Sequence, residues 1–316
     1  MRKRGLQWVG WVVSAVVLAA VVWWALHQPA PKLPSTGEDV FALGVAVVLY
    51  GLCTALRAER WRSLLHDVDA RPSRGDAYRL VLVGYMGNNV LPARTGDLMR
   101  VVLMAPRAET TKRFVVGTLV AERLLDVAVL VVLFLVLATT IAGGAGLPGG
   151  TTGAVLGVVV VVALFAGVIA FGVLRRRGLV ERVRAFVAPM VASTRNLRGR
   201  HGAWMLAMTI LIWLGEAGVW GSCAAAVNLG ASPLEALYLV ALASMFALIP
   251  SGPGYAGTQD VAAVIGVKAI GGTSWQAVAY LILVRFVLLV PITLAGLVAR
   301  ALRYGGVGGL RVAARA

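Results

Sequence analysis

Residues 87–100 read GNNVLPARTGDLMR, and the placement of this stretch decides the fold. Apolar runs flank it at 80–86 and 101–105, yet it holds two Asn, one Pro, two Gly, two Arg and one Asp. Hydrocarbon penalises each of those polar and charged groups unless something inside the protein satisfies it. The surrounding chain leaves little doubt about the solvent. Of 316 residues 59% are hydrophobic and 14% charged, with a mean hydropathy of +0.83. A water-soluble fold of this length has no means of covering so much apolar surface. The stretch therefore reads as a break within membrane-inserted helices rather than as a loop between soluble ones.

A helix needs about 20 predominantly apolar residues to cross a bilayer. Six segments qualify: 8–26, 40–56, 114–142, 151–174, 203–228 and 275–302. Trp8, Trp11, Trp23 and Trp24 stand near the ends of the first, as interface anchors do, so it reads as an uncleaved anchor and not as a secretory signal. Short cytoplasmic loops carry the excess of Lys and Arg. Residues 2–4 are all basic, 57–79 hold six Arg, 175–200 hold eight, and Arg303, Arg311 and Arg315 follow the last segment. By contrast 27–39 and 143–150 contain a single basic residue, Lys32. Both termini are thus expected in the cytoplasm, in what reads as a bacterial inner membrane.

That sidedness leaves two apolar stretches without a crossing. The one at 78–106 must enter and return on the cytoplasmic side, and the one at 234–270 on the external side. Each is interrupted by a Pro/Gly cluster, VLPARTGD in the first and IPSGPGYAGTQD in the second. The predicted hinge positions are Pro92 and Gly96, then Pro250, Gly252, Pro253 and Gly254. The expected fold is an all-α polytopic membrane protein of six spanning helices and two re-entrant helical hairpins in an inverted repeat. Transporters of that design hold their site near the midplane, where broken helices meet. As one membrane domain over 1–316 it divides into an anchor and external loop (1–39), a first repeat (40–142), a connecting helix with a basic loop (143–202), a second repeat (203–302) and a tail (303–316).

The polar residues within these segments are the candidate site. Glu122 and Asp126 are four apart and share a helix face, where they repel unless a cation or proton stands between them. Glu216 sits mid-span beside Gly215 and Gly218, and Arg285 interrupts an apolar run. The first hairpin adds Asn89, Arg94, Asp97 and Arg100, and the second adds Tyr255, Gln259 and Asp260. Two readings stand. In one, Arg123 and Arg285 neutralise Glu122, Asp126 and Glu216 and merely fix helix register. In the other, Arg94, Arg123 or Arg285 holds a phosphate while a carboxylate balances charge or carries a proton, Glu216 being the better carrier because its span has no other charge. Asn88 and Asn89 read as caps of the broken helix.

Several classes are excluded. The net charge of +16 falls in clusters between apolar spans, where anionic lipid rather than nucleic acid is the partner. Cys53 and Cys223 lack CxxC spacing, and His27, His66 and His201 are scattered, so neither a metal nor another cofactor is expected. GPGYAG at 252–257 has GxGxxG spacing but no preceding strand, so a dinucleotide site is not expected. The 175–200 stretch reads either as a basic amphipathic helix on the inner leaflet or as a solvated loop.

NNVLPARTGDLMR, then ERLLD at 122–126, then PSGPGYAGTQD at 250–260, then an Arg in the last span, resemble the membrane region of lysylphosphatidylglycerol synthase/flippase proteins and their stand-alone relatives. The resemblance runs over about residues 40–300. It implies a lipid translocator and places Asn89, Pro92, Arg94, Gly96, Asp97, Arg100, Glu122, Arg123, Asp126 and Arg285 on family motif positions. Asp97 and Asp260 stand where many relatives carry Glu. Aminoacylation of lipid, which bifunctional relatives perform with a further soluble domain, is not expected from these residues. The expected function is movement of a phospholipid or lipid-linked headgroup between leaflets. A non-transporting partner of an envelope lipid or glycan enzyme, and a membrane-embedded lipid transferase, are the alternatives.

Overall fold

The computed structural model describes residues 18–67, 70–91, 95–142, 199–247 and 252–303. Every regular element among them is helical: α1 (Gly37–His66), α2 (Arg74–Val90), α3 (Thr95–Met104), α4 (Lys112–Ala142), α5 (Gly199–Ala225), α6 (Pro233–Phe246), a 3₁₀ turn (Pro253–Tyr255), α7 (Thr258–Ala269) and α8 (Ser274–Arg303). Residues 18–26 are also helical. The expected spans at 8–26 and 151–174 lie largely or wholly outside the described residues, as does the basic loop that follows the second.

Helix starts follow from local chemistry. Thr36 caps α1 by accepting from the Asp39 N–H at 3.1 Å, while Asp39 Oδ2 accepts from the Thr36 N–H at 3.2 Å. Ser73 caps α2 through the Asp76 N–H. Ser232 and Glu235 form the same reciprocal box on α6, with Pro233 at its first position. The end of α2 is set by sequence. Leu91 is extended (φ −103°, ψ 150°), as the residue before Pro92 must be.

Among the described residues three helices are long and apolar enough to cross a membrane: Gly37–His66, Gly199–Ala225 and Ser274–Leu302. Large apolar side chains point outward along them, among them Phe41, Val48 and Leu52 on α1, Ile210, Leu211 and Leu214 on α5, and Phe286, Val290 and Leu294 on α8. An exposed apolar belt of that extent is what a lipid solvent requires. The first of these helices corrects the sequence reading. It runs ten residues past the expected end at residue 56, so Arg57 and Arg60 lie on a continuous helix instead of in a cytoplasmic loop.

The two predicted breaks are real, and each joins a pair of packed helices, α2 with α3 and α6 with α7. In the first pair the backbones touch. A methyl group added at Gly96 would overlap the Gly84 carbonyl and the Asn88 amide, so this glycine serves close approach. α2 packs chiefly on α8, and α1 on α5, with Gly215 against Cys53 and Gly218 against Leu49.

The described residues form two large apolar cores. One joins Ala58, Trp61, Leu65, Leu80, Val83, Met86, Met99 and Met104 of α1–α3 with Val115 of α4. The other joins α5–α8 through Trp220, Leu239, Leu242, Val267, Tyr280 and Val287, with Ala46 and Leu130 at its edge. Buried charge lies between them.

Candidate functional site

Arg60 is completely buried, and it sits on the face of α1 that meets α4 and α5. One terminal nitrogen is 2.8 Å from Asp126 Oδ1 and donates to the Thr209 hydroxyl at 2.8 Å, and the other is 3.6 Å from Glu122 Oε1. This is the cation that the stacked carboxylates require. Glu122 also accepts from Arg100 at 2.9 Å, and the Arg100 guanidinium lies 4.1 Å from the centre of the Trp61 ring. Arg100 reaches Asp97 at 3.8 Å, and Asp97 accepts from Asn88 at 3.4 Å. The chain of contacts thus runs from α1 through α4 to the first hairpin.

Beside it opens a cavity of about 170 Å³. Arg57 and Glu216 form an ion pair on one wall, with Arg57 also 5.9 Å from the Trp213 ring centre. Arg123 and Asp126 of α4 form another, 3.7 Å apart. The tips of both hairpins complete it, with Asn88 and Asn89 from the first and Gly254, Tyr255 and Gln259 from the second. Tyr50, Tyr85, Trp213 and Trp220 supply aromatic surface.

The second tip is held by one arginine. Arg285 of α8 pairs with Asp260 and donates to the backbone carbonyls of Gly254 and Tyr255. Asp260 in turn accepts from the Gly257 N–H at 2.8 Å. The turn needs the help, since Gly254, Tyr255 and Gly257 all have positive φ (60°, 58° and 89°) and Tyr255 pays the steric cost of a side chain there.

The sequence-predicted residues therefore fall into three groups. Asn89, Arg123, Asp126, Glu216 and Tyr255 line the cavity. Asp97, Arg100 and Glu122 form the network behind it. Asp260 and Arg285 clamp the second tip and are not among the lining residues. Of the hinge positions, Gly252, Pro253 and Gly254 lie in the second turn and Gly96 in the hairpin contact, while Pro92 and Pro250 lie outside the described residues, as does the predicted phosphate ligand Arg94.

Three expectations about partners change. Glu216 is not alone in its surroundings, because Arg57 arrives from α1. Glu122 takes Arg60 and Arg100 as its partners, and Arg285 takes Asp260. Neither Asn is a cap: Asn88 reaches Asp97, Asn89 donates to the Thr293 hydroxyl of α8 at 3.0 Å, and the helix end is closed by the Leu91 N–H on the Gly87 carbonyl. Arg57, which lines the cavity, and Arg60, buried behind it, are the cations that counting basic loops concealed. Their signal was spacing, since Cys53, Arg57, Arg60, Trp61 and Leu64 recur at three or four and form one helical stripe.

Long apolar helices, an outward apolar belt and a charged interior define an α-helical integral membrane protein with a polar cavity at its centre. The particular family follows from comparison of sequences: the chain belongs to the lysylphosphatidylglycerol synthase TM region family, whose profile matches residues 10–296. A 111-residue stretch is 27% identical to glycosyltransferase AglD of Haloferax volcanii, covering 35% of this chain and 18% of that protein. No solved structure matches.

Proposed function

We propose that the protein is a lipid translocator, passing a phospholipid or lipid-linked headgroup between leaflets of the bacterial inner membrane. The observation that carries this reading is the cavity itself, where tips of two separate helical pairs meet beside ion pairs contributed by three long helices. At a rise of 1.5 Å per residue, helices of 17, 10, 14 and 12 residues are shorter than the roughly 30 Å hydrocarbon core. In this reading α2–α3 dips in from the cytoplasm and α6–α7 from outside, each flanked by spanning helices as an inverted repeat within one membrane domain. A headgroup occupies the hydrated cavity while its tails remain in lipid, and rocking of one repeat against the other exchanges its access. Basic cytoplasmic segments hold anionic lipid.

Reconstitution into liposomes with headgroup-labelled lipids tests the proposal. Leaflet exchange above that of protein-free vesicles, lowered at least tenfold in Arg123→Ala, is the expected outcome for loss of a charge-assisted contact. Exchange indistinguishable from empty vesicles across the lipid panel defeats it. A second reading is favoured by the partial match to a glycosyltransferase: a non-transporting partner of an envelope lipid or glycan enzyme. It predicts copurification of such an enzyme with no exchange by the protein alone. A transferase reading gains no support from the described lining residues, whose carboxylates are paired with arginines.

A further inference from the structure

The charges that line the cavity are spent on one another. Arg57 pairs with Glu216 and Arg123 with Asp126, and these four are the charged side chains among the described lining residues, so their charges cancel. The neutral polar groups are not spent. Among the described residues the hydroxyls of Tyr50, Tyr85 and Ser244 and the side-chain amide of Gln259 make no hydrogen bond, and neither does the side-chain carbonyl of Asn89, whose amide nitrogen donates to Thr293. All five residues are half-buried, and none of these polar atoms is sealed from solvent. They reach the cavity from four helices: Tyr50 from α1, Tyr85 and Asn89 from α2, Ser244 from α6 and Gln259 from α7. Hydroxyls and amides both donate and accept, so their complement is a ligand that does the same.

We propose that the cavity receives the sugar of a hexosyl lipid, a single uncharged hexose whose hydroxyls exchange hydrogen bonds with Tyr50, Tyr85, Ser244 and Gln259. The inference rests on the translocation reading above and names the class of its headgroup. A sugar hydroxyl donates and accepts at once, whereas an ionised phosphate mainly accepts and an ammonium only donates. Either ion must also part an existing pair to gain a counter-charge, and an uncharged polyol leaves both pairs standing. Arg123 takes part without leaving Asp126. Its side chain is 44% exposed, and a guanidinium has five N–H donors, so those that the carboxylate does not take are open to a hydroxyl. The half-buried rings of Tyr50, Tyr85 and Tyr255 supply apolar surface for the C–H face of a pyranose. Size agrees with one ring: a cavity of about 150 Å³ encloses a six-membered carbon ring, and this one measures about 170 Å³.

The test uses the purified full chain in neutral detergent, with tryptophan fluorescence as the binding signal because Trp213 and Trp220 line the cavity. It is titrated with a short-chain hexosyl diacylglycerol, with phosphatidylglycerol and diacylglycerol of the same chain length, and with free hexose. The hexosyl lipid is expected to bind at least about tenfold tighter than either of the other lipids, a gap worth one or two neutral hydrogen bonds. Tyr85→Phe and Gln259→Leu remove polar atoms that have no partner in the described protein, so the fold should stand. Each is expected to weaken the hexosyl lipid by about threefold to tenfold and to leave diacylglycerol unchanged. Phosphatidylglycerol that binds as tightly as the hexosyl lipid overturns the inference, and so do two variants that bind the hexosyl lipid like wild type. Free hexose that binds as tightly as the lipid marks a soluble-sugar site and overturns it too. The same lipids in the leaflet-exchange assay separate the two levels. Exchange of phosphatidylglycerol without exchange of the hexosyl lipid overturns the sugar assignment alone and leaves translocation standing, whereas absence of exchange for every lipid defeats both.

Discussion

The two helical hairpins share a break and differ in where they put charge. The first carries Asp97 and Arg100 on α3 itself, and those side chains reach sideways into a network that joins α1 and α4. The second is apolar along α6, whose buried positions are Ala, Leu, Val, Met and Tyr, and its one buried carboxylate, Asp260, is spent on the turn and on Arg285. One tip is wired to the polar core and the other is clamped beside it. Similar hairpins thus contribute in different ways: the first sets the electrostatics of the cavity and the second sets the shape of its wall.

The difference is most directly broken at Glu122. It is 2% exposed and meets two guanidinium groups, so Glu122→Gln leaves the longer contact to Asp97 as the carboxylate partner of Arg100. A loss of about 3–5 kcal/mol is expected from breaking such a buried pair. Denaturant titration in detergent should show it as a large drop in folded protein, and wild-type behaviour would mean the network contributes no stability. Arg285→Ala comes next. Its side chain is 20% exposed, which tempers the cost of stranding Asp260 to about 2–3 kcal/mol. Its distinctive mark is local, since cleavage or hydrogen exchange should rise in the 252–257 turn and stay unchanged in α3. Equal loosening of both hairpins would erase the distinction between wired and clamped tips.

A smaller effect separates Arg123 from its neighbours. Because it is partly exposed and Asp126 keeps Arg60, Arg123→Ala should shift stability by no more than about 0.5 kcal/mol while lipid exchange falls. The least perturbing test is single-cysteine labelling. Arg74 and Gly230 are exposed near the bases of α2 and α6, and the native Cys53 and Cys223 are buried. Arg74→Cys and Gly230→Cys should react with an impermeant thiol reagent from opposite sides of a vesicle, and reaction from one side only would remove the opposed geometry.

Much of this arrangement was legible in the residues. Proline and glycine clusters located both breaks because they act locally, through fixed φ at Pro and through positive φ at Gly254 and Gly257. The spacing of Glu122 and Asp126 announced a shared cation before any packing was known. Its identity was hidden, because Arg57 and Arg60 follow directly on an apolar run and read as the basic flank of a span. Only the extension of α1 to His66 carries them inward. Pairing across helices, such as Asn89 with Thr293 or Arg57 with Glu216, depends on tertiary proximity that no local pattern encodes.

Tyr255 adds a last consequence. An L-residue in the left-handed region costs on the order of 1 kcal/mol relative to glycine, and glycines stand at 252, 254 and 257 around it. Tyr255→Gly should therefore relax the backbone and strip a phenol from the wall, and on the translocator proposal the chain gains robustness as lipid exchange falls. Opposite movement of those two quantities would mark a residue kept for its ring rather than for its backbone.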